Sequence, residues 1–83
     1  MSHAAEQSVL GAIMLDSRAY HRCAAVIGPD DFTAPEHRAL WLLLAELIET
    51  DAPVDAVTIG EIAERRNLEV GGLGYVLEVC NNT

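Results

Sequence analysis

Apolar residues recur at three- and four-residue spacing along most of this chain, as they do in helices with one buried face. Turn-forming clusters interrupt the pattern at residues 16–17, 28–32, 50–53 and 67–70. The longest unbroken apolar stretch, 39–45, is far too short to span a membrane. Short amphipathic helices depend on packing for their stability, so their apolar faces must cover one another. The spacing therefore predicts a single all-α domain over residues 1–83.

The pattern resolves into about five helices, which we expect to pack as a small orthogonal bundle. Their predicted ranges are 4–15, 18–26, 35–49, 59–66, and 71 or 72 to 80. The third helix has the widest apolar stripe and is predicted to be central, with Trp41 also in the core. Its inward positions are Leu40, Leu43, Leu44, Leu47 and Ile48. The last helix is expected to bury Leu73, Val76, Leu77 and Cys80.

Local signals mark several helix ends. Thr33 is a possible cap for the third helix, two residues before a proline that suits the first turn. Thr58 and Glu61 have the spacing of a capping box, so the fourth helix is predicted to start at Ile59. Gly11 lies inside the first helix, where glycine costs about 1 kcal/mol relative to alanine. Close approach by a neighbouring helix would explain it.

Glu6 shares the apolar face of the first helix. One interpretation is a first-turn acid that the helix dipole favours. The other is an inward carboxylate that pairs with His37 or Arg38. The sequence leaves the role of Glu6 open between the two.

The chain is strongly acidic, with thirteen Asp and Glu residues against five arginines and no lysine, and a net charge of −8. Affinity for nucleic acid comes from clustered Lys and Arg, so we expect no direct nucleic-acid binding. A protein partner with a basic surface remains compatible with this charge. Cys23 and Cys80 are too few for a disulfide scaffold, and no secretory leader is recognisable. We expect a cytoplasmic protein without membrane contact.

Gly71, Gly72 and Gly74 raise the possibility of a phosphate-binding loop. A P-loop needs a lysine, which this chain lacks, and a dinucleotide fingerprint needs GxGxxG directly after a strand. Gly71 and Gly72 are predicted instead to turn the chain tightly into the last helix. We therefore expect no cofactor in this chain.

Metal and catalytic sites have equally little support. The three histidines and two cysteines form neither a CxxC nor an HxxxH pattern. The three serines lie in no nucleophile motif. We expect a chain without metal or enzymatic activity.

Residues 58–74 also read like a helix-turn-helix, whose second helix should carry the base contacts. Residues 69–83 contain no Arg or Lys and include Glu69 and Glu78. A negatively charged recognition helix would be repelled by the phosphates of DNA. A small acidic helix-turn-helix regulator or adaptor therefore stands as the alternative interpretation.

Four segments, in order, are similar to the amino-terminal domain of the bacterial replicative DNA helicase DnaB family. The family patterns are EAEQ-x-VLG, DF…HR, PID-x-VTL and GG-x-YL…NT. The segments that resemble them here are 4–16 (AAEQSVLGAIMLD), 31–32 with 37–38 (DF and HR), 53–59 (PVDAVTI), and 70–75 with 81–83 (VGGLGY and NNT). Ala4 departs from the pattern, because the family often has an acid there.

The resemblance implies the globular head of that domain, without the helical hairpin, linker and ATP-hydrolysing motor that follow it in family members. Such a head is non-catalytic and forms part of the hexamer collar. It packs against other helicase subunits and helps to engage primase and the helicase loader. ATP and magnesium would belong to the motor alone. By the same resemblance, the glycine stretch is a structural turn.

A docking domain needs an exposed apolar anchor within a ring of polar groups. Leu42 falls among the charged residues of the third helix and not with its other leucines. Arg38, Glu46 and Glu49 surround it at helical spacing. These four residues are the predicted interface, although a single exposed leucine is also ordinary on a protein surface.

Overall fold

Five α-helices and one 3-10 turn make up the regular structure of residues 1–82, the part of the chain that the computed structural model describes. Thr83, the last residue of the NNT segment, lies outside it. This part contains no strand, and the predicted all-α fold is confirmed. The helices are α1 (His3–Leu15), α2 (Ala19–Ala24), α3 (Pro35–Glu49), α4 (Ala56–Arg66) and α5 (Gly72–Asn81), with the 3-10 turn at Pro29–Asp31.

The core forms around α3, whose bounds match the prediction. Four of its leucines are buried, and Ile48 is only half-buried. Trp41 is 2% exposed, and the rings of Tyr20 and Phe32 each lie 5.3 Å from it, centroid to centroid. The leucines in question are Leu40, Leu43, Leu44 and Leu47. Burial of these side chains is the main source of stability in a domain of this size.

The inward face of α5 differs from the prediction. Val76 and Val79 are fully buried, whereas Leu73 and Leu77 remain 44% and 39% exposed. The helix lies between α1 and α4, so its neighbours cover a narrow stripe of valines. Leu73 and Leu77 lie about 60–100° around the helix axis from Val76 and escape that cover. Cys80 is partly buried.

The start of α4 is also different. Asp55 caps the helix, because its Oδ1 accepts a hydrogen bond from the Thr58 amide at 2.9 Å. The Thr58 hydroxyl donates to Asp55 Oδ2 at 2.7 Å, so this side chain points back toward the cap. The capping box predicted from Thr58 and Glu61 does not form, and Glu61 is exposed. The helix consequently begins at Ala56, three residues before the predicted Ile59.

Two smaller expectations also need correction. Helix α2 spans only Ala19–Ala24, shorter than the predicted 18–26, and Ala24 is exposed. Ala34 occupies the cap position of α3, where Thr33 was expected. The Thr33 hydroxyl is engaged elsewhere, by a buried carboxylate described below.

The glycines at the start of α5 have the geometry that a tight turn needs. Gly71 and Gly72 both have positive φ, at 92° and 82°. A Cβ on Gly71 would also come within 2.6 Å of the Tyr75 ring. Glycine is therefore favoured at position 71 both by the positive φ and by the lack of space for a side chain. Gly11 is buried on the inner side of α1.

Replacing Asp55 by Ala should destabilise the domain by about 1 kcal/mol, because the Thr58 amide loses its cap. Urea unfolding at neutral pH measures this loss. Glu61→Ala is the matched control and should change stability by less than about 0.5 kcal/mol, as expected for an exposed side chain. Equal losses in both variants would contradict the assignment of Asp55 as the cap.

Candidate functional site

A buried carboxylate joins the N-terminal ends of α1 and α3. Glu6 has no exposed surface, and its carboxylate is within 2.7 Å of His37 Nδ1. It accepts from both the amide and the hydroxyl of Thr33 at 2.8 Å, and from the Ala34 amide at 3.4 Å. Arg38 donates instead to the carbonyls of Phe32 and Thr33. Of the interpretations of Glu6 left open by the sequence, the structure shows the inward carboxylate, with His37 as its partner.

These hydrogen bonds determine the charge state of Glu6. Burial raises the pKa of its carboxyl, but the Thr33 amide, the His37 ring, the Thr33 hydroxyl and the Ala34 amide together outweigh burial and lower the pKa to about 2. Glu6 is therefore ionised at neutral pH. An ionised carboxylate only accepts hydrogen bonds, so His37 carries a proton on Nδ1.

The other side of the His37 ring extends the network to α5. A hydrogen bond joins its Nε2 to the Tyr75 hydroxyl, and Gln7 Nε2 donates to the same phenol oxygen at 3.1 Å. The rings of His37 and Tyr75 are stacked, with 15° between their planes. The hydrogen bonds of Glu6, His37, Tyr75 and Gln7, here called the buried network, therefore connect α1, α3 and α5.

The carboxylate–imidazole–hydroxyl order has the form of a hydrolytic triad. Its terminal group is a phenol, and neither Glu6 nor His37 has any exposed surface that a substrate could contact. Within residues 1–82, no cluster of three or more His, Cys, Asp or Glu side chains is placed to hold a metal ion. We interpret the buried network as a structural connection between helices.

The predicted interface lies on the outer side of α3. Leu42 is 56% exposed in the middle of a helix whose other leucines are all buried. Arg38 is held on one side by the backbone carbonyls it contacts. Glu46 is held on the other by Arg66 of α4, at 2.8 Å between Oε2 and Nη2. Leu42 thus projects between two charged groups whose positions are fixed.

Arg66 is the residue of this surface that sequence reasoning missed. Its pairing with Glu46 spans 20 positions, and helical spacing within α3 carries no signal for it. The pairing raises the pKa of Arg66 and lowers that of Glu46, so both remain charged at neutral pH. Glu49 lies beside Tyr20; burial raises the pKa of that phenol, and the Glu49 charge raises it further.

The remaining chemistry-bearing groups are dispersed. Cys23 and Cys80 are both partly buried, and neither forms a disulfide within residues 1–82. None of the helices in residues 1–82 has the length and apolar character needed to cross a membrane.

The fold and this surface define a small helical module whose central helix carries an exposed leucine. Residues 1–83 match the family model of the DnaB-like helicase N terminal domain, and the chain belongs to that family. The predicted family is thereby confirmed. It is the N-terminal domain family of replicative DNA helicases.

Individual relatives agree with this assignment. The chain is 36% identical over 81 residues to the replicative DNA helicase DnaB of Haemophilus influenzae, covering 95% of this chain and 17% of that protein. It is 39% identical over 80 residues to the replicative DNA helicase DnaC of Bacillus subtilis, covering 94% and 18% respectively. The crystal structure of the N-terminal domain of DnaB helicase from Mycobacterium tuberculosis superposes with a TM-score of 0.91 at 32% identity, covering 100% of this chain and 59% of that one. The chain therefore spans under a fifth of the length of these two full helicases.

Replacing Glu6 by Gln should destabilise the domain by about 3 kcal/mol, because it removes one partner of a buried, hydrogen-bonded pair. Urea unfolding at pH 7 measures the change. Glu61→Gln, on an exposed carboxylate, is the matched control and should cost less than about 0.5 kcal/mol. A loss at Glu6 no larger than at Glu61 would show that the buried network contributes little to stability.

The stability contribution of Glu6 should also depend on pH. Its pKa is about 2 in the folded state against an ordinary value of 4.5 for a glutamate, so the contribution is complete above about pH 4.5 and is lost as the pH falls toward 2. The difference in unfolding free energy between the wild type and Glu6→Gln should shrink over this range. Denaturant unfolding of both proteins between pH 6 and pH 2.5 tests this, and a constant difference would contradict the ionised, hydrogen-bonded Glu6.

Proposed function

We propose that this chain is a non-catalytic assembly and partner-docking domain of a replicative DNA helicase. In that role it contributes to the hexamer collar, packs against other helicase subunits and engages primase or the helicase loader. The observation that carries the proposal is Leu42, exposed between fixed charges on a helix that is otherwise buried on its apolar side.

The surface around Leu42 suits recognition of another protein. Interfaces gain most of their energy from a few apolar or aromatic anchors that a polar rim shields from water. Here the rim is already ordered, since Arg38 and Glu46 are held by contacts within the domain. Ordering them on binding therefore costs little conformational entropy.

The overall charge of the chain argues against direct binding to DNA. The net charge is −8, and α5, which would be the reading helix of a helix-turn-helix, contains no Arg or Lys. Most of the length of the relatives lies outside the matched region. We assign ATP, magnesium and strand separation to that region, and place the domain in the cytoplasm with its helicase.

An NMR titration of the labelled domain separates the two functional readings. One arm adds the helicase-binding domain of the cognate primase, and the other adds duplex DNA at physiological salt, because DNA affinity depends strongly on salt. Shifts around Leu42 with primase, and none with DNA, are expected. Shifts along α5 with DNA would overturn the docking function in favour of the acidic regulator.

Replacing Leu42 by Ser should weaken binding of the primase domain by about tenfold, as expected for the loss of one apolar anchor. Leu15→Ser is the matched control, because Leu15 is 62% exposed at the end of α1 and lies outside the predicted interface. Titration calorimetry of both variants measures the effect. Equal affinities of the wild type and Leu42→Ser would remove Leu42 from the interface.

A further inference from the structure

A groove between α4 and α5 forms a second apolar surface, separate from Leu42. Its volume is about 290 Å³, and the turn that joins the two helices closes one end. The floor includes Gly60 and Val70, and the sides include Leu68 and Leu73. Here it is called the α4–α5 groove.

A glycine gives the α4–α5 groove its depth. Gly60 is buried on α4, and a Cβ built there would lie 2.7 Å from Leu73 Cδ1. The Leu73 side chain therefore lies directly over the glycine backbone, and any larger residue at position 60 would displace it. A glycine inside a helix is destabilising, but it allows a neighbouring side chain to pack directly against the helix backbone.

The apolar side of the groove extends beyond its lining. Leu73 and Leu77 are one turn apart on the same side of α5, and both keep more than a third of their surface exposed. Val57, one turn before Gly60 on α4, is about half exposed. Leu73 and Leu77 therefore form an exposed apolar pair beside the groove, and contiguous exposed apolar surface marks interaction sites.

The charges at the rim of the groove have one predominant sign. Glu64 and Glu69 belong to its lining, and Glu61 lies one turn before them on α4. All three are exposed, and none of them forms an ion pair within residues 1–82. Arg65 is the one basic residue beside them. A second copy of this chain would bring the same carboxylates against each other, which is unfavourable.

We propose that the α4–α5 groove binds an amphipathic helix of another protein, with aliphatic anchors at i and i+4 and Lys or Arg beside them. One anchor enters the groove between Leu68 and Leu73, and the next contacts Leu77. The basic side chains meet Glu64 and Glu69. This is helix-in-groove recognition, in which apolar anchors supply affinity and flanking charges supply orientation. The proposal is independent of Leu42 and of the primase-docking function.

The test uses two synthetic helical peptides and the labelled domain. The first peptide contains only leucine and lysine, with leucines at i, i+3 and i+4 spacing; the second has serine in place of every leucine and the same charge. The leucine peptide is expected to give saturable shifts at Gly60, Leu68 and Leu73. The serine peptide is expected to bind at least about tenfold more weakly, since charge alone does not fill the groove.

Two variants locate the binding. Leu73→Ser should weaken the leucine peptide by about tenfold, and Leu42→Ser, the matched control on the other surface, should leave it unchanged. Gly60→Ala should weaken it as well, because the added Cβ displaces Leu73 into the groove. The fold should persist in Gly60→Ala, because alanine favours the helix and the contacted atom is the end of a flexible side chain.

Three results would overturn the proposal. Equal binding of both peptides would reduce the interaction to charge alone. Shifts centred on Leu42 would place the peptide on the other surface. Sedimentation that shows self-association of the wild type, lost in Leu73→Ser, would identify a second copy as the occupant. The primase titration monitors shifts around Leu42 and does not depend on the groove. A negative result with the peptides would therefore leave the proposed function standing.

Discussion

The contact between Glu6 and His37 is the polar constraint on which the relative placement of α1, α3 and α5 depends. A buried carboxylate is tolerated only when its charge is paired and its lone pairs are hydrogen-bonded. Glu6 meets that condition with donors from a single segment, Thr33 to His37, which contains the start of α3. The start of α3 is thereby fixed against the first turn of α1. Through Tyr75 the same network fixes the start of α5.

This arrangement makes the domain a rigid carrier of surfaces. An 83-residue chain buries a limited core, and the polar network adds direct connections among three of its helices. Leu42 and the α4–α5 groove both lie on helices, and their surroundings are ordered before any partner arrives. Binding sites on fixed helices are more precise than sites on loops, because less freedom is lost on association. The two surfaces differ in chemistry, with a projecting leucine on α3 and a recessed groove with acidic lining between α4 and α5.

Three of the four segments that resemble the helicase family contribute to the buried network or border it. Glu6 comes from the first segment, His37 from the second, and Gly71 and Tyr75 from the last. Gly71 leaves room for the Tyr75 ring that completes the network. Residues that carry the resemblance therefore also join α1, α3 and α5, and the Glu6 and His37 side chains among them are fully buried. This is why the family could be identified from the sequence, whereas the proposed docking surface depends on the exposure of Leu42.

The sequence by itself determined the all-α fold, the bounds of α3, the leucines that it buries and the outward direction of Leu42. Each of these follows from helical spacing, a property of neighbouring residues along the chain. Only the tertiary structure decided the partner of Glu6, because the network joins residues that are distant in the sequence. Glu6 and His37 are 31 positions apart, and His37 and Tyr75 are 38 positions apart. It also decided that Asp55, and not Thr58, caps α4, since both residue types can do so. Helical spacing predicted which side of α5 is apolar, but not how much of that side the neighbouring helices bury. The buried extent depends on how closely α1 and α4 approach, and their approach leaves Leu73 and Leu77 exposed.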